Sequence, residues 1–364
     1  MKRSAYLVIL TLCLCILPGL ALADSDLSYD LGSRASTVAM DLLKFEPGDE
    51  NILALTNAGH AQIKGDTTER ALSGITDVSG LRAGDGNLFQ VNRPNWKPLW
   101  FYFFNKKTGL AAYMEVDATT NSITGDERTA LPADKVFSQI SLMMVDLDTM
   151  LARTDDANAT FTKKKFSGNE FSLIGLSNVW AKGASYDFMN AAAFHDHLCP
   201  GVTSGYMIIK YVEKNLPITN ASETYIDIGS PNWCKEDAFQ MIWDSTPGKN
   251  SEFVMALSAD DEAALKAKYG VRPAGIIIRW NDAAKKGTGV ALGFDFDKVN
   301  ADTGVANWTG PSWAPKLVED IGMMSLVDKT EDYITTLKEF PVDEANLTKL
   351  KTAGNNPYKV LGML

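Results

Sequence analysis

PLWFYFFNKKTGLAAYMEVD (Pro98–Asp117) and AGIIIRWNDAAKKGTGVALGFDFD (Ala274–Asp297) are two stretches of one 364-residue chain with the same layout. Each reads as a run of aromatic or β-branched residues, a Lys-Lys turn closed by glycine, and a second strand-forming run, the pattern of an antiparallel hairpin. Other segments recur around them in the same order. SYDLGSRAST from Ser28 is answered by SYDFMNAAAF from Ser185, and the helix-like KGDTTERALSGIT from Lys64 by KEDAFQMIWDST from Lys235. ISLMMVDLDTMLA from Ile140 is answered by IGMMSLVDKTEDYI from Ile321, with short helical segments expected around Phe166 and Phe340. The recurrence predicts an α+β protein made by internal duplication, each half a mainly antiparallel sheet with packed helices. The expected units are 24–182 and 183–364, joined near Lys182-Gly183, the second ending in a helical tail.

Residues 1–23 stand apart. Met1-Lys2-Arg3 is followed by AYLVILTLCLCILPGLALA, an apolar run ending in a small-x-small cleavage pattern, which predicts a secretory signal peptide and an exported protein. Pro18 and Gly19 interrupt the run and polar DSDLSYD follows it, so no stable membrane span is expected after cleavage. Losing Lys2 and Arg3 takes the formal charge from −10 to −12, two basic residues fewer. So acidic an exported chain is a poor partner for nucleic acid or an anionic membrane. Cys13 and Cys15 leave with the leader, so Cys199 and Cys234 remain: too few for a disulfide scaffold, enough for one bridge.

The halves differ at FHDHLCPGVTSGY (Phe194–Tyr206), which holds two of the three histidines and one cysteine. His195, His197 and Cys199 alternate, so an extended backbone would turn all three to one side. Pro200 suits the first position of a helix, and the spacing of Val202, Tyr206, Ile209 and Val212 carries that helix to about Asn215. Cys199 then lies at a helix N-terminus, where free N–H groups and the helix dipole favour a thiolate. SPNWCKEDAFQMIW gives Cys234 a similar place, with Glu236 and Asp237 in the first turn. Two imidazoles and two thiolates can complete a four-coordinate Zn2+ site, and three of them leave a position for water. Ni, Co or Fe suit the same donors. The competing reading is a Cys199–Cys234 disulfide with ordinary histidines around it.

FHDHLCPGVTSGY resembles the signature of the FmdE family, named for its association with formylmethanofuran dehydrogenase: aromatic-His-x-His-x-Cys-Pro-Gly, then the Gly205-Tyr206 pair. Cys234, Asp237-Ala238-Phe239-Gln240 and Thr246-Pro247-Gly248-Lys249 match that family's second element. The resemblance runs from Ala193 to about Asp297 and implies a metal-binding α+β domain with His195, His197, Cys199 and Cys234 as ligand positions. Asp196 departs from a glycine common in the family and Ser245 from a further cysteine of many members. The cysteines of an appended C-terminal zinc ribbon are missing. An exported member is not expected to serve as a working component of a cytoplasmic dehydrogenase.

These readings lead to an exported two-domain metal-binding protein, zinc being the favoured ion. Its expected role is metal handling or support of an extracytoplasmic redox enzyme, with a homodimer left open. Two alternatives stand beside it. One is a metalloenzyme whose open site activates water, with Asp196 or Asp237 as general base; the other is a thiol-redox protein using Cys199 and Cys234. Lys235, Asp237 and Lys249 are expected near the metal. Tyr206 and the Trp96–Phe104 run are expected in the core, and His60 is read as an ordinary loop histidine.

Overall fold

The computed structural model describes residues 27–119 and 130–364. The leader segment lies outside them. The first half runs α1 (Leu27–Leu43), β1 (Ile52–Thr56), β2 (Gln62–Ile63), β3 (Asp66–Thr67), α2 (Arg70–Ser79), β4 (Leu88–Gln90), β5 (Trp100–Asn105), β6 (Leu110–Val116) and β7 (Phe137–Met144). Helices α3 (Leu147–Ala152), α4 (Thr154–Thr162), α5 (Glu170–Ala181) and α6 (Tyr186–Phe194) follow. The second half runs α7 (Pro200–Asn215), β8 (Glu223–Gly229), α8 (Lys235–Trp243), β9 (Glu252–Val254), α9 (Ala259–Tyr269), β10 (Arg272–Asn281) and β11 (Lys286–Phe294). It ends with α10 (Phe296–Asp302), α11 (Pro315–Gly322), β12 (Ile334–Asp343), α12 (Glu344–Lys351) and α13 (Pro357–Val360).

The fold is α+β, as its sequence predicts. The two five-stranded sheets have one strand order, β4-β1-β5-β6-β7 and β9-β8-β10-β11-β12. Their directions agree too: β1/β4 and β8/β9 are parallel and every other pair is antiparallel. Both quoted hairpins form, as β5–β6 and β10–β11. Left-handed backbone closes the first turn at Gly109 but the second at Lys285, whose amine reaches back to Asp282 at 2.7 Å.

Two of the other sequence pairings shift. Ser185 opens α6, whereas the helix that feeds β8, as α1 feeds β1, is α7. Ile140 lies in β7, whose counterpart is β12 and not the segment from Ile321, because α10 and α11 intervene between β11 and β12. Phe340 belongs to strand β12 and Phe166 to the turns before α5, so neither centres a helix.

Alternation of side chains along each strand gives both sheets two buried faces. Ile52, Ala54, Phe101, Phe103 and Met114 pack under α1 and α2. Leu53, Leu55, Tyr102, Phe104 and Tyr113 turn the other way, into a core that also holds α5, α6, α7 and the inner face of the second sheet through Tyr225, Ile277 and Leu292. Ile226, Ile228, Ile276 and Ile278 face α9, α12 and α13. The layers therefore run helices, sheet, shared helices, sheet, helices. Faces buried on both sides explain why β5 reads as WFYFFN without polar alternation. Trp96, 78% exposed, is the exception in the aromatic run.

Helices α7 and α8 cross at Gly205, where a Cβ would stand 2.6 Å from the Lys235 carbonyl oxygen and 2.8 Å from its Cα. Backbone cannot yield as a flexible side chain can. Gly205→Leu is expected to cost about 3 kcal/mol, the upper end for overpacking, read as a lower denaturant midpoint; an unchanged midpoint would show that the crossing can open. Among the described residues no helix is long and apolar enough to cross a membrane.

Candidate metal centre

Three helix ends build the site. Cys199 caps α7, with Pro200 at its first position, and its Sγ accepts the Val202 N–H at 3.4 Å. Cys234 caps α8. The two N-termini approach at Gly201, where a Cβ would lie 2.8 Å from Cys234 Cβ and 3.1 Å from its Sγ. His195 sits at the C-terminal end of α6 and donates its N–H to the Ala191 carbonyl at 3.0 Å. The segment from 195 is thus a turn, with Asp196 at φ +81°, and not the extended strand expected from the alternation.

The donors still converge. Ligand atoms of His195, His197 and Cys199 all lie within 4.8 Å of one another. His195 Nε2 is 3.5 Å from Cys199 Sγ, close to the roughly 3.5 Å separation that tetrahedral zinc imposes on its N and S ligands. The two imidazoles stand 4.6 Å apart between centroids. Cys234 is not one of these three; its thiol interacts electrostatically with Cys199 and His195. Both cysteines are free thiols, Cys199 buried and Cys234 partly so.

His195 Nδ1 pairs with Asp237 Oδ2 at 2.6 Å. Burial alone would lower the His195 pKa, but the hydrogen bonds and negative charge of Asp237 and Cys234 outweigh it and carry it up to about 9. His197 goes the other way, down to about 4, through burial and the positive charges of His195 and Lys316. The two thiols shift in opposite directions: their mutual interaction and His195 bring Cys234 down, while that interaction and burial push Cys199 up. These opposite shifts favour negative charge on Cys234 and positive charge on His195.

Residues distant in sequence complete the surroundings. From the first half, Arg93 pairs with the Asp196 carboxylate, Ser172 donates to the Asp196 carbonyl, and the Phe171 ring lies 6.0 Å from His197 edge to face. From α11, Lys316 acts on His197, and Asp320 on Cys199 and Cys234. Asp320 is fully buried, and neither of its oxygens has a partner among the described residues. No motif announced Arg93, Ser172, Lys316 or Asp320; only the fold brings them here.

Other expectations divide. Tyr206 is core, as expected, with its hydroxyl 3.0 Å from Ser185. Lys235 turns away from the cluster into the protein, bonded to Glu236 and, at 3.0 Å, to the Pro231 carbonyl. Lys249 pairs with exposed Asp244, at the far end of α8 from Cys234. Half-buried His60 follows β1 and lines a cleft of about 660 Å3 with Arg82, Phe89, Tyr186 and Phe194, apart from the cluster's donors.

Residues 194–308 match the family model FmdE, described as molybdenum formylmethanofuran dehydrogenase operon. Residues 194–308 are thus similar to an FmdE domain. No curated protein matches the chain. The FmdE domain holds both cysteines and both clustered histidines, whereas Arg93, Ser172, Lys316 and Asp320 lie outside it.

Imidazole and thiolate donors suit zinc and its first-row neighbours, and the arrangement fits such an ion. Asp237 would then orient His195 and raise its basicity, as carboxylate partners of metal-bound histidines do. Asp237→Asn is expected to weaken metal affinity ten- to a hundredfold, measured by chelator competition. Equal affinities would reduce Asp237 to a helix-terminus charge.

Proposed function

We propose that this protein is an exported metal-binding member of the FmdE family. It holds one zinc-class ion through His195, His197, Cys199 and Cys234, and it handles metal or supports a redox enzyme outside the cytoplasm. One observation carries the reading: Asp237 fixes His195 at Nδ1 so that Nε2 looks into the cluster toward Cys199. That is how a metal-binding imidazole is held. The like strand order of the two sheets supports an ancestral duplication in which the second half kept the ligands.

A thiol-redox function is the second reading, favoured by two free thiols at the adjoining N-termini of α7 and α8, with the Cys234 thiol depressed. Elemental analysis and thiol titration of anaerobically purified protein separate the two. Near-stoichiometric metal in the parent, lost in the His197→Ala, Cys199→Ala variant, is the expected result. Protein free of metal and of titratable thiol would replace the metal reading with a disulfide.

A further inference from the structure

Asp196 presents a problem that the FmdE domain does not solve by itself. It lies between His195 and His197 at φ +81°, in the left-handed region that favours glycine. Aspartate tolerates this conformation better than most residues, yet its side chain still makes it costlier than glycine. Something here must hold the turn.

The first half supplies the hold. The Arg93 guanidinium pairs with the Asp196 carboxylate and donates from Nη2 to Asn169 Oδ1 at 2.8 Å. Asn169 is itself tied to the Phe166 carbonyl at 2.9 Å. Ser172 donates to the Asp196 carbonyl, and the Asn92 N–H reaches the Ala193 carbonyl at 2.9 Å. Bonds from two separate segments of the first half therefore grip residues 193–196, beside the histidine donors. The Arg93–Asp196 pair is largely shielded, with side-chain exposures of 16% and 34%, so water screens it less than a surface pair.

We propose that the first half, which lacks the His/Cys cluster, works as a clamp on the metal loop, with Arg93 its main positioning residue. Asp196 is then the handle by which the clamp acts, in exchange for the backbone freedom of glycine. Its carboxylate is engaged with Arg93, which leaves Asp237 as the carboxylate that touches a ligand. For its affinity arm the proposal rests on the metal reading above. Its conformational arm does not.

The test uses the full chain with two readouts. One is Co2+ affinity, from the absorption of bound cobalt under chelator competition. The other is amide hydrogen exchange of residues 193–199 without added metal. Arg93→Ala is expected to weaken Co2+ binding ten- to a hundredfold and to speed exchange in this segment. Asp196→Gly is expected to stay within about threefold of the parent, because glycine takes the turn unaided. Adding Arg93→Ala to Asp196→Gly should cost nothing further. Equal losses from Arg93→Ala in both backgrounds, or none in either, would overturn the clamp. If Arg93→Ala fails to fold, Asp196→Asn serves: it tolerates the turn but carries no charge, and it should lose Co2+ affinity and exchange protection as Arg93→Ala would. Parent protein that binds no Co2+ would sink the metal reading, and the exchange data would still decide the clamp.

Discussion

Lys235→Met is expected to destabilise the fold by about 3–5 kcal/mol, the range for removing one partner of a buried ion pair. The Lys235 side chain has no exposed surface, Glu236 only 6%, and the two are paired. The Lys235 ammonium also lies 4.1 Å from the centre of the Trp233 ring. Asp227 is nearby, fully buried, with neither oxygen partnered among the described residues, and its pKa is raised by burial against the opposing charge of Lys235. Glu252 lies beside Asp227 across the parallel β8–β9 pair. Lys235 thus pairs with Glu236 and acts on Asp227 and Glu252 through its charge alone. Without it Glu236 keeps its bond from the Trp233 N–H, at 2.9 Å, but loses its counter-charge. The loss should shrink toward pH 5, where an unpaired buried carboxyl takes up a proton. Adding Asp227→Asn should recover part of it, as coupled neighbours do. Denaturant midpoints of the four proteins in this cycle measure the coupling; a Lys235→Met cost below about 1 kcal/mol would mean that water reaches the cluster. Cys234 precedes Lys235, so metal occupancy is expected to fall with stability.

The same lysine marks how far sequence reading reaches. KEDAFQ placed Cys234 at a helix start, and it caps α8; Pro200 and the apolar spacing after it gave α7 to the residue. Those signals are local, since a helix start is written in a few adjacent residues. The direction in which Lys235 points is not local. It depends on Asp227, on a strand formed before α8, and on the Pro231 carbonyl. Both hairpins were legible for the same reason as α7, while the correspondence of β7 with β12 was obscured by α10 and α11, which lie between β11 and β12. At the metal loop, the sequence showed the donors and the unusual Asp196. Arg93, 103 residues earlier, carried no sign that it would meet Asp196. Recurrence of segments gave two α+β halves joined near Lys182-Gly183, and no local signal showed that one apolar core joins the inner faces of both sheets.

Asp320→Asn is expected to stabilise the protein increasingly as pH rises. Burial, reinforced by Glu319 and Cys234 and opposed by Lys316, pushes the Asp320 carboxyl up to about 9 from its ordinary 3.8. The folded protein therefore keeps a proton that the unfolded chain releases near pH 4. Stability from this group is fully present below that value and is lost as pH climbs toward 9, with a limiting slope of about 1.4 kcal/mol per pH unit. Asparagine has no proton to lose, so the variant escapes that decline. Relaxation and water entry will soften the slope, and a gain of about 2–3 kcal/mol between pH 5 and 8 is a reasonable expectation. Metal should alter the result, because a divalent ion beside Cys199 and Cys234 favours the Asp320 carboxylate and flattens the parent's decline. Unfolding of parent and variant across that pH range, with EDTA and again with zinc, tests both statements. Parallel curves in EDTA would mean that Asp320 is hydrated in solution. A steep parent curve in EDTA that flattens with zinc would tie this buried acid of α11, outside the FmdE domain, to the charge of the metal centre.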